Sequence, residues 1–298
     1  MLTPDPRPLG KSGLSVSPMA WGMWRFAGRP VTEGRALVEA AFAAGITLFD
    51  TADIYGFDGE NGFGDAESLL GEVLAETPSL RDRMVLATKG GITPPVPYDS
   101  SAAYLMKALE NSLRRMRVER VELYQIHRPD ILAHPEEVAR TLEDMVSGGK
   151  VSAVGVSNYT PDQSRALASY LSVPLATQQP EFSPLHLDPM TDGLFDLAMA
   201  DDMAVLAWSP LGGGRLAAPA DPRAQAVADA LDHRARDSGV GRAAVIYSWI
   251  MAHPARPIPI VGTQRAWRIA EAADAFKVQW TRRQWYDVLV AARGEKLP

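Results

Sequence analysis

Asp50, Tyr55, Lys89 and His127 are the side chains of this sequence whose types could share one reaction. A free phenol titrates near ~10 and is a poor acid at neutral pH. An adjacent ammonium favours the phenolate and lowers that value toward useful acidity. Lys89 can supply the charge, and Asp50 can keep the lysine protonated and fixed. His127 can donate a hydrogen bond that polarises a carbonyl oxygen. Such a site hands a proton to oxygen, so two electrons must reach the carbon as hydride. No side chain gives up hydride, and the chemistry asks for a reduced cofactor.

These residues lie between positions 50 and 127, so distant segments must be gathered to one place. Eight short apolar runs read as strands: Val16–Gly22, Ile46–Asp50, Met84–Lys89, Val121–His127, Val151–Ser157, Leu175–Gln179, Met203–Trp208 and Ile258–Val261. Helical spacing separates them, at Thr32–Ala44, Ala66–Glu76, Ser101–Met116, Pro135–Ser147, Pro161–Leu171, Met190–Ala200 and Pro222–His253, the last broken near Gly239–Gly241. Asp65 reads as a helix cap, and Pro135, Pro161 and Pro222 suit first turns. Strand–helix alternation predicts a parallel α/β sheet with helices outside. Eight repeats in 298 residues fit a closed (β/α)8 TIM barrel, for which ~250 residues is usual. An open doubly wound sheet is the alternative. No composition break marks a second domain, so residues 1–298 read as one barrel domain. Leu9–Leu14 reads as a hairpin turn plugging one barrel mouth, and Thr281–Arg293 as an extra outer helix.

In a parallel barrel the C-terminal strand ends share one mouth. Asp50, Lys89, His127, Ser157–Asn158, Gln178–Gln179 and Trp208–Ser209 each end a strand, so they converge there. The loop Asp50–Gly56 returns Tyr55 over the same mouth.

The segment Leu48–Gly56 (Leu-Phe-Asp-Thr-Ala-Asp-Ile-Tyr-Gly) resembles the signature of the aldo-keto reductase superfamily. So do Ala87-Thr88-Lys89, Tyr124–His127, Val154–Tyr159 and Trp208–Gly212, in the family's order, across the chain from about Gly10. His127-Arg128-Pro129-Asp130 is similar to its bacterial members. The resemblance implies a (β/α)8 barrel, NADPH, and reduction of aldehydes or ketones. It makes Tyr55 the general acid, with Asp50, Lys89 and His127 completing a tetrad. It also implies that Ser157, Asn158 and Gln179 hold the nicotinamide carboxamide. Trp208 would stack on the ring, where the family more often has tyrosine.

Ser209-Pro210-Leu211-Gly212-Gly213-Gly214-Arg215 can crowd backbone N–H groups around a pyrophosphate, with Arg215 adding charge. Gly262-Thr263-Gln264 leads into a helix bearing Arg268 and Glu271, and a helix start beside an arginine suits an adenosine 2′-phosphate. The family often has lysine at the position of Gly262 and asparagine at that of Ala272. NADPH preference therefore rests on Arg268 with Thr263, and NADH stays possible. Met23 and Trp24 follow the first strand and are expected at the wall for a small-molecule carbonyl substrate, where aromatics at the mouth suggest an apolar or aromatic one, or else serve as packing.

The absence of cysteine excludes disulfides, thiolate metal sites and cysteine nucleophiles. A net charge of −6 with mixed signs speaks against nucleic-acid or anionic-membrane partners. No apolar run approaches membrane-span length, no secretory signal stands at the start, and a cytoplasmic location is expected. No paired-histidine spacing suggests a metal. Oligomeric state is not encoded in any motif. Two rival functions remain: a regulatory or redox-sensing barrel that binds cofactor with little turnover, and a Schiff-base lyase using Lys89.

Overall fold

Short apolar runs become strands here because both faces of each are covered, one by the barrel interior and one by helices. The computed structural model describes residues 2–297. Strands β1 (Arg7–Pro8) and β2 (Ser15–Val16) form an antiparallel hairpin. The barrel strands are β3 (Ala20–Gly22), β4 (Leu48–Asp50), β5 (Val85–Gly90), β6 (Val121–Ile126), β7 (Val151–Ser157), β8 (Leu175–Gln179), β9 (Ala204–Ala207) and β10 (Ile258–Val261). They close a parallel barrel in chain order, with β10 pairing both β9 and β3. The expected (β/α)8 class is therefore the observed one, and the open sheet is not.

Helices α1 (Val31–Ala43), α2 (Asp65–Glu76), α3 (Ala102–Met116), α4 (Pro135–Ser147), α5 (Pro161–Ala168) and α6 (Leu194–Asp201) follow β3 to β8 in turn. After β9 come α7 (Pro222–Ser238) and α8 (Arg242–Met251), then α9 (Ala266–Ala272) after β10 and α10 (Arg282–Arg293) outside. Capping explains several starts. Ser101, Thr160, Asp221 and Thr281 accept from backbone N–H groups of the first turns of α3, α5, α7 and α10. Thr160–Gln163 and Thr281–Gln284 are reciprocal capping boxes.

Three local expectations change. Val16–Gly22 is not one strand: Ser17 and Thr47 exchange backbone-to-side-chain hydrogen bonds at 2.9 and 2.8 Å, which ends the hairpin before β3 begins. Asp65 does not cap α2. Left-handed Gly64 (φ 88°) takes that place, where a Cβ would overlap the Arg115 guanidinium, and Asp65 lies in the first turn. Met190–Ala200 divides into a 3-10 turn and α6, because Gly193 is left-handed (φ 90°) and Asp192 caps Leu194 N.

Side chains alternate across each strand. Trp21, Phe49, Leu86, Tyr124, Val154, Val156 and Val205 face outward into the layer beneath the helices. Ala20, Leu48, Ala87, Leu123, Ala153, Ala204, Leu206 and Ile258 fill the interior together with Leu9 of the hairpin. Leu9 is fully buried, and a Cβ on neighbouring Gly10 would strike the carbonyl oxygens of Ala176 and Asp202. The hairpin thus closes the mouth at which the strands begin. The opposite mouth, where they end, stays open for chemistry.

Candidate active site

Period two does most of the positioning. Two residues beyond inward-facing Leu48 is Asp50; beyond Ala87 is Lys89; beyond Leu123 come Gln125 and His127. Lys89 Nζ lies 2.7 Å from Asp50 Oδ2 and donates to Thr51 O at 2.8 Å and Tyr55 Oη at 3.2 Å. Its side chain has no exposure and that of Asp50 only 2%. Asp50 Oδ1 accepts from Gln179 Nε2 at 2.9 Å and from Gln125 Nε2 at 3.4 Å. The loop carrying Tyr55 is pinned to β5, with Thr51 N donating to Ala87 O and Asp53 N to Lys89 O. Tyr55 O in turn accepts from Ala66 N at the start of α2.

Burial and charge set the protonation states. For Lys89, burial pulls downward, but the Asp50 charge, Tyr55 and the hydrogen bonds to both outweigh it and hold the ammonium above its ordinary value. A buried, paired ammonium is a poor nucleophile, which weighs against the Schiff-base alternative. Burial pushes the Tyr55 phenol above its ordinary value, and Lys89 offsets that only in part. The expected lowering is thus corrected: desolvation of a phenolate in this pocket exceeds the pull of one ammonium. Tyr55 holds its proton until a partner draws it off. Burial, then the charges of Lys89 and Arg128, keep His127 well below its usual range and hence neutral. His127 Nδ1 is buried with no partner, so the proton belongs on Nε2, facing the cleft.

The open cleft over these groups has a volume of about 940 Å3 and runs from β3 and β4 across to β9 and β10. A larger open groove, about 1390 Å3, lies on the outside between α8 and α10, away from the convergent side chains. Trp208 Nε1 donates to Asn158 Oδ1 at 3.0 Å, which holds the indole plane at the cleft wall. Asn158, left-handed at φ 60°, spends its amide on His127 O (3.1 Å) and Ser157 Oγ (2.9 Å). Ser157 Oγ donates to Gln179 O. After β9, Ser209, Gly212, Gly213 and Gly214 all have positive φ. A Cβ on Gly213, Gly214 or Gly262 would meet nothing within 4 Å, so the backbone there borders open space in the cleft.

A family model described as the aldo/keto reductase family matches residues 18–289. The chain belongs to that family. It is an NAD(P)H-dependent oxidoreductase of carbonyl compounds. It is 61% identical over 299 residues to the 6-dehydroglucose reductase of Novosphingobium aromaticivorans, covering 100% of this chain and 98% of that protein. The 6-dehydroglucose reductase of Agrobacterium fabrum is 39% identical, over 95% of this chain and 97% of that one. Among solved structures, a thermostable aldo-keto reductase in complex with the inhibitor epalrestat superposes with a TM-score of 0.83. The match covers 98% of this chain and 100% of that one at 23% identity, a likeness of fold.

In this aldo/keto reductase, Asp50, Tyr55, His127, Ser157, Asn158, Gln179, Trp208, Ser209, Pro210, Leu211, Gly214, Gly262, Thr263, Gln264 and Arg268 all line the cleft, with Lys89 directly beneath. Trp24 lines it too, 63% exposed. Met23 does not. Its N–H continues the ladder to Asp50 O, so its side chain turns outward and is fully buried in the core, which corrects its expected place at the substrate wall. Gly212 is buried, and a Cβ on it would press on Leu185; Arg215 bonds back to Gly212 O; Glu271 is exposed on α9. None of these three borders the cleft. Sequence reasoning missed Gln125, Arg128, Tyr247 and Arg265. Alternation along β6 could have found Gln125, and a charged residue directly after His127 at the same mouth could have found Arg128. Tyr247 comes from α8 and carries no strand-end signal.

No described helix is long and apolar enough to cross a membrane.

Proposed function

We propose that this protein reduces a hydroxylated aldehyde to its alcohol with NADPH, Tyr55 serving as general acid. The observation that carries the reading is the Lys89 ammonium standing 2.7 Å from Asp50 Oδ2 and 3.2 Å from Tyr55 Oη at the floor of the cleft. A reduced nicotinamide supplies the hydride when bound. Tyr55 Oη gives its proton to the carbonyl oxygen, and Lys89 stabilises the phenolate left behind. Asp50, fixed by Gln179 and Gln125, keeps Lys89 charged and aimed. His127, neutral and protonated on Nε2, donates to the same carbonyl oxygen and orients it. No proton passes through it.

Trp208 would offer a flat face to the nicotinamide. The carboxamide would find the free lone pair of Asn158 Oδ1, since both amide hydrogens of Asn158 are engaged. Ser209–Leu211, Gly213, Gly214 and Gly262 would fit the pyrophosphate, and Arg265 and Arg268 the adenosine end. The 61% identity to a 6-dehydroglucose reductase supports a hexose oxidised to the aldehyde at C6 as substrate. The test is absorbance-monitored NADPH oxidation with that sugar aldehyde and with simple aldehydes. Consumption with the sugar supports the reading. Binding of NADPH without consumption across the panel would sink it.

A further inference from the structure

Arg128 follows His127 directly after β6 and is half-buried in the cleft wall. Its guanidinium carbon lies 5.9 Å from the Trp208 ring centroid, and its charge bears on both Tyr55 and His127. The acids that could pair with it are spoken for. Asp130 accepts from Ser100 N at 3.0 Å and Leu132 N at 2.9 Å. Asp50, the sole carboxylate among the described residues lining the cleft, is held by Lys89 and Gln179. Among the described residues Arg128 has no ion-pair or hydrogen-bond partner. Its nitrogens are not among the buried polar atoms that lack a partner, so they face the cleft with their donors free for a ligand oxygen.

Topology says which ligand. In the order of the closed barrel, β6 stands opposite β10, and the open stretch with Arg265 and Arg268, proposed for the pyrophosphate and adenosine, lies beyond β9 and β10. Arg128 starts from the far side, beside His127, and reaches to 5.9 Å from the Trp208 ring, the end proposed for the nicotinamide and the reacting carbonyl rather than for the phosphates. We infer that Arg128 is a substrate-specificity residue, whose guanidinium donates to oxygen on the carbon next to the aldehyde. This rests on the proposed reduction at Tyr55 and refines it: the site favours aldehydes bearing an adjacent hydroxyl or ether oxygen over apolar ones. A hexose oxidised at C6 presents such an oxygen. The planar fork of arginine matches two neighbouring oxygens in a way an ammonium does not.

The experiment compares D-glyceraldehyde with propanal, which lacks the hydroxyls, using wild type, Arg128→Met and Arg128→Lys. NADPH affinity is measured by fluorescence titration for each. A hydrogen bond to a charged donor corresponds to roughly 10- to 100-fold in binding. Arg128→Met is expected to lower kcat/KM for D-glyceraldehyde by about that factor, chiefly through KM. Loss of the charge beside Tyr55 falls on both aldehydes alike, so propanal should lose at least about tenfold less than D-glyceraldehyde, NADPH affinity should stay within about threefold, and Arg128→Lys should recover part of the loss. Equal losses on the two aldehydes, or a matching fall in NADPH affinity, would overturn the assignment. If the wild type turned over neither aldehyde but did reduce the sugar aldehyde, the comparison would be made on that sugar, with the same loss expected. If it reduced none of them, the reading of the site would fail and the inference with it.

Discussion

Gln179 and Asp50 are separated by 129 positions, yet the glutamine amide donates at 2.9 Å to the carboxylate oxygen that Lys89 leaves free. Asp50 is thereby held at both oxygens inside the barrel, with only 2% exposure. Asp50→Asn should leave the buried Lys89 charge without its counter-ion. Breaking a buried pair costs about 3–5 kcal/mol. The variant is expected to melt well below wild type and to lose most of its reductase activity, as checked by calorimetry and steady-state turnover. Unchanged melting would mean the pair contributes nothing to the fold.

The legibility of the site follows from the same geometry. Asp50, Lys89 and His127 could be read because strand alternation carries them inward beyond Leu48, Ala87 and Leu123. Tyr55 lies in a loop, where no period applies; its place is read from the short return of Asp50–Gly56 over the mouth, and the resemblance agrees with it. Met23 was misplaced although its signal was present: alternation through Ala20, Trp21 and Gly22 continues one residue past the strand and turns it outward. The protonation of Tyr55 was misjudged for another reason. Sequence reveals a neighbouring charge but not the depth of burial, and burial dominates here. Gly212 and Arg215 looked like phosphate ligands by composition, but the turn folds Arg215 back onto Gly212 O.

His127 is neutral because burial depresses its basicity. The unfolded chain therefore takes up a proton near its ordinary value of 6.5 that the folded chain refuses, and stability falls as pH drops below that point. His127→Gln should melt higher relative to wild type at pH ~5.5 than at pH ~7.5. A pH-independent difference in melting temperature would contradict a neutral His127.

Trp208 presents a face to the cleft and an edge N–H to Asn158. Trp208→Phe keeps the face and loses the donor, whereas Trp208→Ala loses both. Stacking of this kind is worth up to about tenfold in affinity. Fluorescence titration should show the alanine variant weakened for NADPH by roughly that factor, and phenylalanine by much less. Equal weakening would shift the role of Trp208 from stacking to support of Asn158.

Arg268 lines the cleft where the adenosine is proposed to lie, with its guanidinium 4.9 Å from the Trp267 ring centroid and no carboxylate partner among the described residues. Arg268→Ala should weaken NADPH by about tenfold or more, the worth of a charge-assisted contact, and NADH far less. Parallel titrations with the two cofactors decide it, and equal losses would show that Arg268 does not read the 2′-phosphate.

The most direct measurement is turnover by Tyr55→Phe with NADPH and a sugar aldehyde, beside a titration of NADPH affinity. Loss of a general acid costs about 100- to 10,000-fold in rate. A fall of that size in kcat is expected, with affinity nearly unchanged. A variant reducing the aldehyde within about tenfold of wild type would remove Tyr55 as the proton donor.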